Sequence, residues 1–228
     1  MNFLHPSELE RLRGHEAPPP PRPVIPSPSD LILLNGAQWS RYSADVRILR
    51  KVPEKEAVYA ALATSFLANE AAGNMELTVV VSRHLRSIRI KHVETRVLEE
   101  RQRWSAGSLE ALLDISGTVQ DLVRDFIGDK AANPEAVIAG RLVGWLADRR
   151  VLNREVQRRR PLAVGRRKRD RLLLPPEVYR RMTGPESVKA ARLMSDAGEA
   201  RHELMTELLS DVRAAFVDRT EKSGVSTI

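Results

Sequence analysis

Residues 133–175 read NPEAVIAGRLVGWLADRRVLNREVQRRRPLAVGRRKRDRLLLP, and fold class and function both turn on how this stretch divides. Asn133 followed by Pro134 is a helix start. The asparagine side chain can accept from a free first-turn amide, and proline fits the first helical position without losing a bond. Ile138, Leu142, Trp145 and Leu146 then recur on one face, as a core-facing helix requires. Beyond Arg149 the helical period stops. NREVQ (153–157) is strand-like, PLAVG (161–165) is a tip and RRKRDRLLLP (166–175) is the return, so a hairpin follows the helix.

The same signals recur on either side. Thr118 to Asp121 fits the Ser/Thr-x-x-acid start of a helix that Gly128 stops. Ala57 to Ala72 carries Val58, Leu62, Phe66 and Leu67 at helical spacing, and Gly73-Asn74 supply a left-handed stop. MELTVVV (75–81) is β-branched, and Ile88 and Ile90 alternate with Arg89 and Lys91. These two runs form a further hairpin through 82–85. Two amphipathic helices close the fold, roughly Glu186 to Met194 and Glu199 to Asp218. The second directs Leu204, Leu208, Val212, Met205, Leu209 and Phe216 inward. Residues 1–29 hold eight of the fourteen prolines and read as a disordered or polyproline tail. Residues 219–228 read as a flexible C-terminus. The expected fold is mostly α, one globular helical domain over 30–218 with small β-hairpins behind the Pro-rich tail.

The chain has 228 residues, a net charge of +7, 42% hydrophobic residues and only 4% aromatic ones, enough for a sizeable core. Arg149 to Arg171 contains eleven Arg and Lys against Glu155 and Asp170, a local charge of 11 − 2 = +9 that leaves 7 − 9 = −2 for everything else. A basic segment this concentrated faces phosphates, either anionic lipid or nucleic acid, unless it is a solvated arginine-rich loop. Apolar runs are far too short to span a bilayer, and the first fourteen residues lack the apolar core of a secretory signal. The expected place is therefore the cytoplasm, peripheral to membrane.

Enzymatic chemistry has little to stand on. There is no cysteine, so a thiolate nucleophile and Cys-ligated metals are excluded. His5, His15, His84, His92 and His202 make no metal-ligand motif, and no glycine loop for nucleotides is present. Glu99 and Glu100 sit among Arg96, Arg101 and Arg103 as a solvated helix face, and Trp39, Trp104 and Trp145 read as core or rim anchors. The expectation is a non-enzymatic chain with no cofactor and no metal.

That leaves the basic hairpin. Arg158, Arg159 and Arg160, then the apolar Leu162 and Val164, then Arg166, Arg167, Lys168, Arg169 and Arg171 make a tip bracketed by cations. Such a tip is costly in water and useful at an anionic membrane interface. These ten residues are the expected lipid-binding set. The alternative is a winged-helix-like nucleic-acid binder using the same segment, with helix 133–149 in the major groove. That helix offers Glu135, Arg141 and Asp148 rather than a row of base-reading side chains. A third use is partner binding through the proline tail.

In order and spacing these pieces resemble the Golgi phosphoprotein 3 family. The resemblance is carried by TVQDLVRDFIG (118–128), by Asn133-Pro134, by Arg141-Leu142-x-x-x-Leu146-x-x-Arg149-x-Val151-Leu152, by ALATSFLANEAAGNMEL (61–77) and by SVKAARLMSDAG (187–198). It implies a single, mostly helical domain that binds phosphoinositide at a membrane. The hairpin bearing Leu162 and Val164 then serves membrane contact and self-association, making a homo-oligomer. Ala136 and Ala139 stand near the places of the family's lipid-phosphate arginine pair, and Pro53 and Leu62 near those of its tryptophan and arginine. The resemblance accordingly implies anionic lipid in general, phosphoinositides included, rather than one head group.

Overall fold

A computed structural model describes residues 25–81, 86–92, 108–112, 117–128, 133–156, 170–195 and 198–223. Within them run α1 (Pro28–Gly36), β1 (Gln38–Arg41), β2 (Arg47–Lys51), α2 (Lys55–Ala71), β3 (Met75–Val81), β4 (Arg86–His92), α3 (Leu109–Leu112) and β5 (Gly117–Thr118). There follow α4 (Val119–Ile127), α5 (Pro134–Asp148), β6 (Asn153–Val156), β7 (Asp170–Leu174), α6 (Pro176–Met182), α7 (Pro185–Ser195) and α8 (Gly198–Ser223). Helix makes up 60% of the structure.

The helix signals act as their chemistry requires. Asn133 accepts from the Ala136 amide, Thr118 accepts from the Asp121 amide, and Gly128 and Gly73 sit at φ 75° and 70°, where a side chain is disfavoured. Helix α2 is buried nearly all round. Its polar Thr64 and Ser65 hydroxyls donate back to the Ala60 and Leu62 carbonyls at 2.7 and 2.6 Å, so the helix is sealed within itself. It is the centre of a first core that also takes Ile88 and Ile90 from β4, Val123 and Ile127 from α4, and Leu208, Val212 and Phe216 from α8. A second core joins Leu31 and Leu34 of α1, Leu174 of β7, Val178 and Met182 of α6, and Ala190 of α7. Helix α5 serves both, giving Ile138, Ala139 and Leu142 to the first and Val143 and Leu146 to the second. Each such leucine contributes roughly 1.5 to 3 kcal/mol on burial.

Both expected hairpins are present, but each belongs to a wider antiparallel sheet. One sheet has the order β1-β2-β7-β6, the other β3-β4-β5. Strands β1 and β2 escaped the sequence reading because QWSR and RILRK show no clean alternation. They pair with each other, Trp39 opposite Leu49, and β2 pairs on its other side with β7, Ile48 opposite Leu173. The fold is thus mixed, with helix predominating. The tail reading overran at its end: Ser27 caps α1, Pro28 takes its first turn, and Asp30 completes a capping box by accepting from the Ser27 amide. Proline density hid this start. Helix α8 runs on past Asp218 to Ser223, and the short α3 and α6 were not anticipated.

Candidate functional site

The hairpin stem grows out of the end of α5. Arg149 caps the C-terminus of α5, Arg150 turns the chain at φ 61°, and Val151 and Leu152 drop into the second core, the Leu152 amide donating to the Leu146 carbonyl at 3.0 Å. The strands then pair from Asn153 opposite Leu173 to Val156 opposite Asp170. Residues 157–169 therefore connect the two strand ends. They contain seven Arg and Lys and no acid, a charge of +7. Arg158, Arg159, Arg160, Leu162, Val164, Arg166, Arg167, Lys168 and Arg169 lie outside the described residues.

Of the four remaining cations of the segment, Arg150 is exposed and the other three are engaged within the fold. Arg171 stands opposite Glu155, half-buried, with its guanidinium 5.8 Å from the centre of the Tyr42 ring. The Tyr42 hydroxyl in turn donates to the Glu155 carboxylate at 3.1 Å. Arg154 lies 3.6 Å from Asp148 and 3.9 Å from Asp170. Arg149 pairs with Asp30 through both guanidinium nitrogens, Nη1 at 2.9 Å, with the carboxylate 2% and the guanidinium side chain 11% exposed. The +9 of the linear count thus overstates what a partner can meet.

Around that ion pair sits a buried polar cluster that sequence reasoning missed. Glu110 of α3 receives the Ser29 amide and the Ser29 hydroxyl, each at 2.9 Å, and its carbonyl receives the Asn69 side chain at 2.8 Å. Glu110 is wholly buried. Burial and the Asp30 carboxylate push its carboxyl above the ordinary range, against the Ser29 bonds. The only linear trace was the Ser27-Pro28-Ser29-Asp30 cap, because Asn69, Glu110 and Arg149 are distant in the chain. Two more perturbed groups are likewise spoken for. Burial raises Asp211, which accepts the Ile88 amide at 2.6 Å, and burial raises Tyr59, which donates to Glu135 at 3.0 Å. Chemically these arrangements fix elements to one another, since every such carboxyl holds a main-chain or side-chain donor of the fold itself.

Trp39 donates to the Leu34 carbonyl at 2.8 Å and Trp145 meets Phe126 edge-on at 5.5 Å, both as half-buried anchors. His202 is exposed on α8 and His92 ends β4. His5, His15, His84, Glu99, Glu100 and Trp104 lie outside the described residues. Among the described residues no three His, Cys, Asp or Glu side chains gather as a metal site, and no helix is long and apolar enough to cross a membrane. No protein-family model, no curated protein and no solved structure matches the chain.

Proposed function

We propose that this chain is a non-enzymatic protein that docks peripherally on anionic membrane, on the cytoplasmic side, through the connection between β6 and β7. The observation that carries the reading is the antiparallel pairing of those strands. That pairing ties both ends of the 157–169 connection to one stem, and in sequence the connection carries Arg158–Arg160 before, and Arg166–Arg169 after, Leu162 and Val164. The internal engagement of Glu110, Asp211 and Tyr59 supports a role without catalysis, since none is left as an acid or base for a substrate. The resemblance to the Golgi phosphoprotein 3 family points the same way, and self-association through the hairpin belongs to the same proposal.

Magnitudes set the character of the binding. Leu162 and Val164 each recover roughly 1.5 to 3 kcal/mol if fully buried in the interface. Each cation near an anionic leaflet adds about 1 kcal/mol, so seven of them outweigh the apolar pair. Attachment is therefore reversible and falls with salt.

The test is co-sedimentation with vesicles of phosphatidylcholine alone or mixed with phosphatidylserine, at low and moderate salt, with duplex DNA as competitor. The expected result is binding to the anionic vesicles only, resistant to DNA, and reduced at least tenfold by Leu162→Asp with Val164→Asp. Complete displacement by DNA, with the double substitution silent, would replace this reading by the nucleic-acid one. Affinity for DNA would then fall with salt by ~0.9 log units per phosphate neutralised.

A further inference from the structure

The buried cluster at the foot of the hairpin gathers the carboxyls of Asp30 and Glu110 around one guanidinium, that of Arg149. The hydrogen bonds show which acid uses the cation. Asp30 takes N–H donors: the Ser27 amide at 2.9 Å and both guanidinium nitrogens of Arg149, Nη1 at 2.9 Å. Those are the partners of a carboxylate. Glu110 is fully buried, and no ion pair joins it to a cation among the described residues.

The contacts of Glu110 suit a neutral acid. Its Oε1 accepts the Ser29 amide at 2.9 Å, as a carbonyl oxygen does. Its Oε2 lies 2.9 Å from the Ser29 hydroxyl, a group able to accept a proton's bond as well as to donate one. The Ser29 hydroxyl in turn meets that of Ser27 at 3.2 Å, and Ser27 Oγ takes the Asp30 amide at 3.4 Å. This short hydroxyl chain can run in either direction, so the acid is satisfied with its proton on. Charge separates the two states. With Glu110 neutral, Asp30 and Arg149 cancel. With Glu110 ionised, a buried site holds two negative charges against one positive, which low dielectric penalises. On α2, Asn69 donates to the Glu110 carbonyl, and its neighbour Glu70, with one carboxylate oxygen buried, is a further acid.

The element that rides on this carboxyl is α3, four residues packed against α1 and α2. It is attached by Leu109 in the first core, by the Glu110 carboxyl on Ser29 and by the Glu110 carbonyl on Asn69. A single turn has little stability of its own, so these ties decide whether it stays.

We propose that Glu110 is a proton-controlled lock, whose neutral carboxyl seats α3 on the start of α1 and whose ionisation at rising pH releases α3 while both cores stay folded. Burial first, and the Asp30 carboxylate second, raise this carboxyl above its ordinary range, in the direction the lock requires.

The experiment is amide hydrogen exchange on the full chain, read by mass spectrometry from about pH 4 to about pH 8, wild type against Glu110→Gln at each pH so that intrinsic rates cancel. The α3 amides of the wild type are expected to exchange at the variant's rate near the acid end and about tenfold faster or more at the other, since each pH unit above the folded pKa raises the released population about tenfold. Amides of 138–146 in α5, which serves both cores, should match between the two proteins throughout. Asp30→Asn leaves Arg149 to pair with Glu110, so its α3 amides should match those of Glu110→Gln at both ends of the range. The proposal is overturned if α3 exchanges alike in wild type and Glu110→Gln at every pH. It is overturned equally if α5 accelerates together with α3, which is unfolding rather than release, or if Asp30→Asn keeps the full response to pH.

Discussion

Two arginine-bearing regions lie within twenty residues of each other and differ in the acids that accompany them. At the foot of the hairpin, Arg149 is nearly buried and shares the Asp30 carboxylate with the Ser27 amide, beside Glu110 and Ser29. Between β6 and β7, seven Arg and Lys stand in thirteen residues with no acid among them. The first region spends its charge inside the fold, where a guanidinium is tolerated only because a carboxylate meets it bidentately. The second has no acid within its own thirteen residues. Charge counted along a chain is therefore a poor guide to charge offered to a partner, and the fold decides which arginines are which.

The sharpest way to break the contrast is to delete the buried member. Arg149→Ala strands Asp30 beside the raised carboxyl of Glu110, with no cation to compensate two buried acids. A loss of about 3 to 5 kcal/mol is expected in urea unfolding at neutral pH, as for other buried pairs broken on one side. Arg154→Ala, at an exposed pair spaced 3.6 and 3.9 Å, should change stability by less than about 1 kcal/mol. Equal losses from the two substitutions would erase the distinction between the buried pair and the exposed one.

A gentler probe follows from Glu110. Burial, then the Asp30 carboxylate, raise its folded pKa above that of the unfolded chain. The folded protein therefore holds that proton more tightly. The stability so gained is complete below the unfolded carboxyl value and is lost as pH rises through the folded one. Glu110→Gln has no proton to lose and its amide can still meet Ser29. Melting temperatures of variant and wild type should lie close together near pH 4 and separate by about pH 7, with the variant higher. An unchanged difference across that range would mean that Arg149 stabilises the Glu110 carboxylate as well as Asp30.

What was legible in the sequence and what was not divide along the same line. Caps and periodicity are local, so Asn133-Pro134, Thr118 to Asp121 and Gly128, and the inward faces of α5 and α8 could be read directly. The hairpin stem was legible because its strands are close in sequence. Strand β2 was not, because RILRK has no alternation of its own and takes its place between β1 and β7, the latter more than a hundred residues away. The buried cluster was invisible for the same reason: Asn69, Glu110 and Arg149 look like ordinary surface polar residues until tertiary packing gathers them. Of the basic segment, the charge was legible in full, but the engagement of Arg149, Arg154 and Arg171 within the fold was not.

The smallest effect expected lies at Arg150, which sits at the boundary between the two regions. It is exposed, and it holds φ 61° between the end of α5 and the buried Val151 and Leu152. A side chain there costs roughly 1 to 2 kcal/mol, which glycine avoids while losing about 0.5 to 1 kcal/mol of chain entropy. Arg150→Gly should therefore stabilise the fold by about 0.5 to 1 kcal/mol in urea unfolding. The position tolerates arginine against local preference, and the same variant tells why. If anionic-vesicle binding stays at the wild-type level, the cation surface ends above the foot of the hairpin and Arg150 belongs with Arg149 to the fold. If binding weakens while stability rises, the strain is retained for contact with the membrane, and the boundary between the two regions falls at Arg149, the cap of α5, rather than at the first residue of the connection.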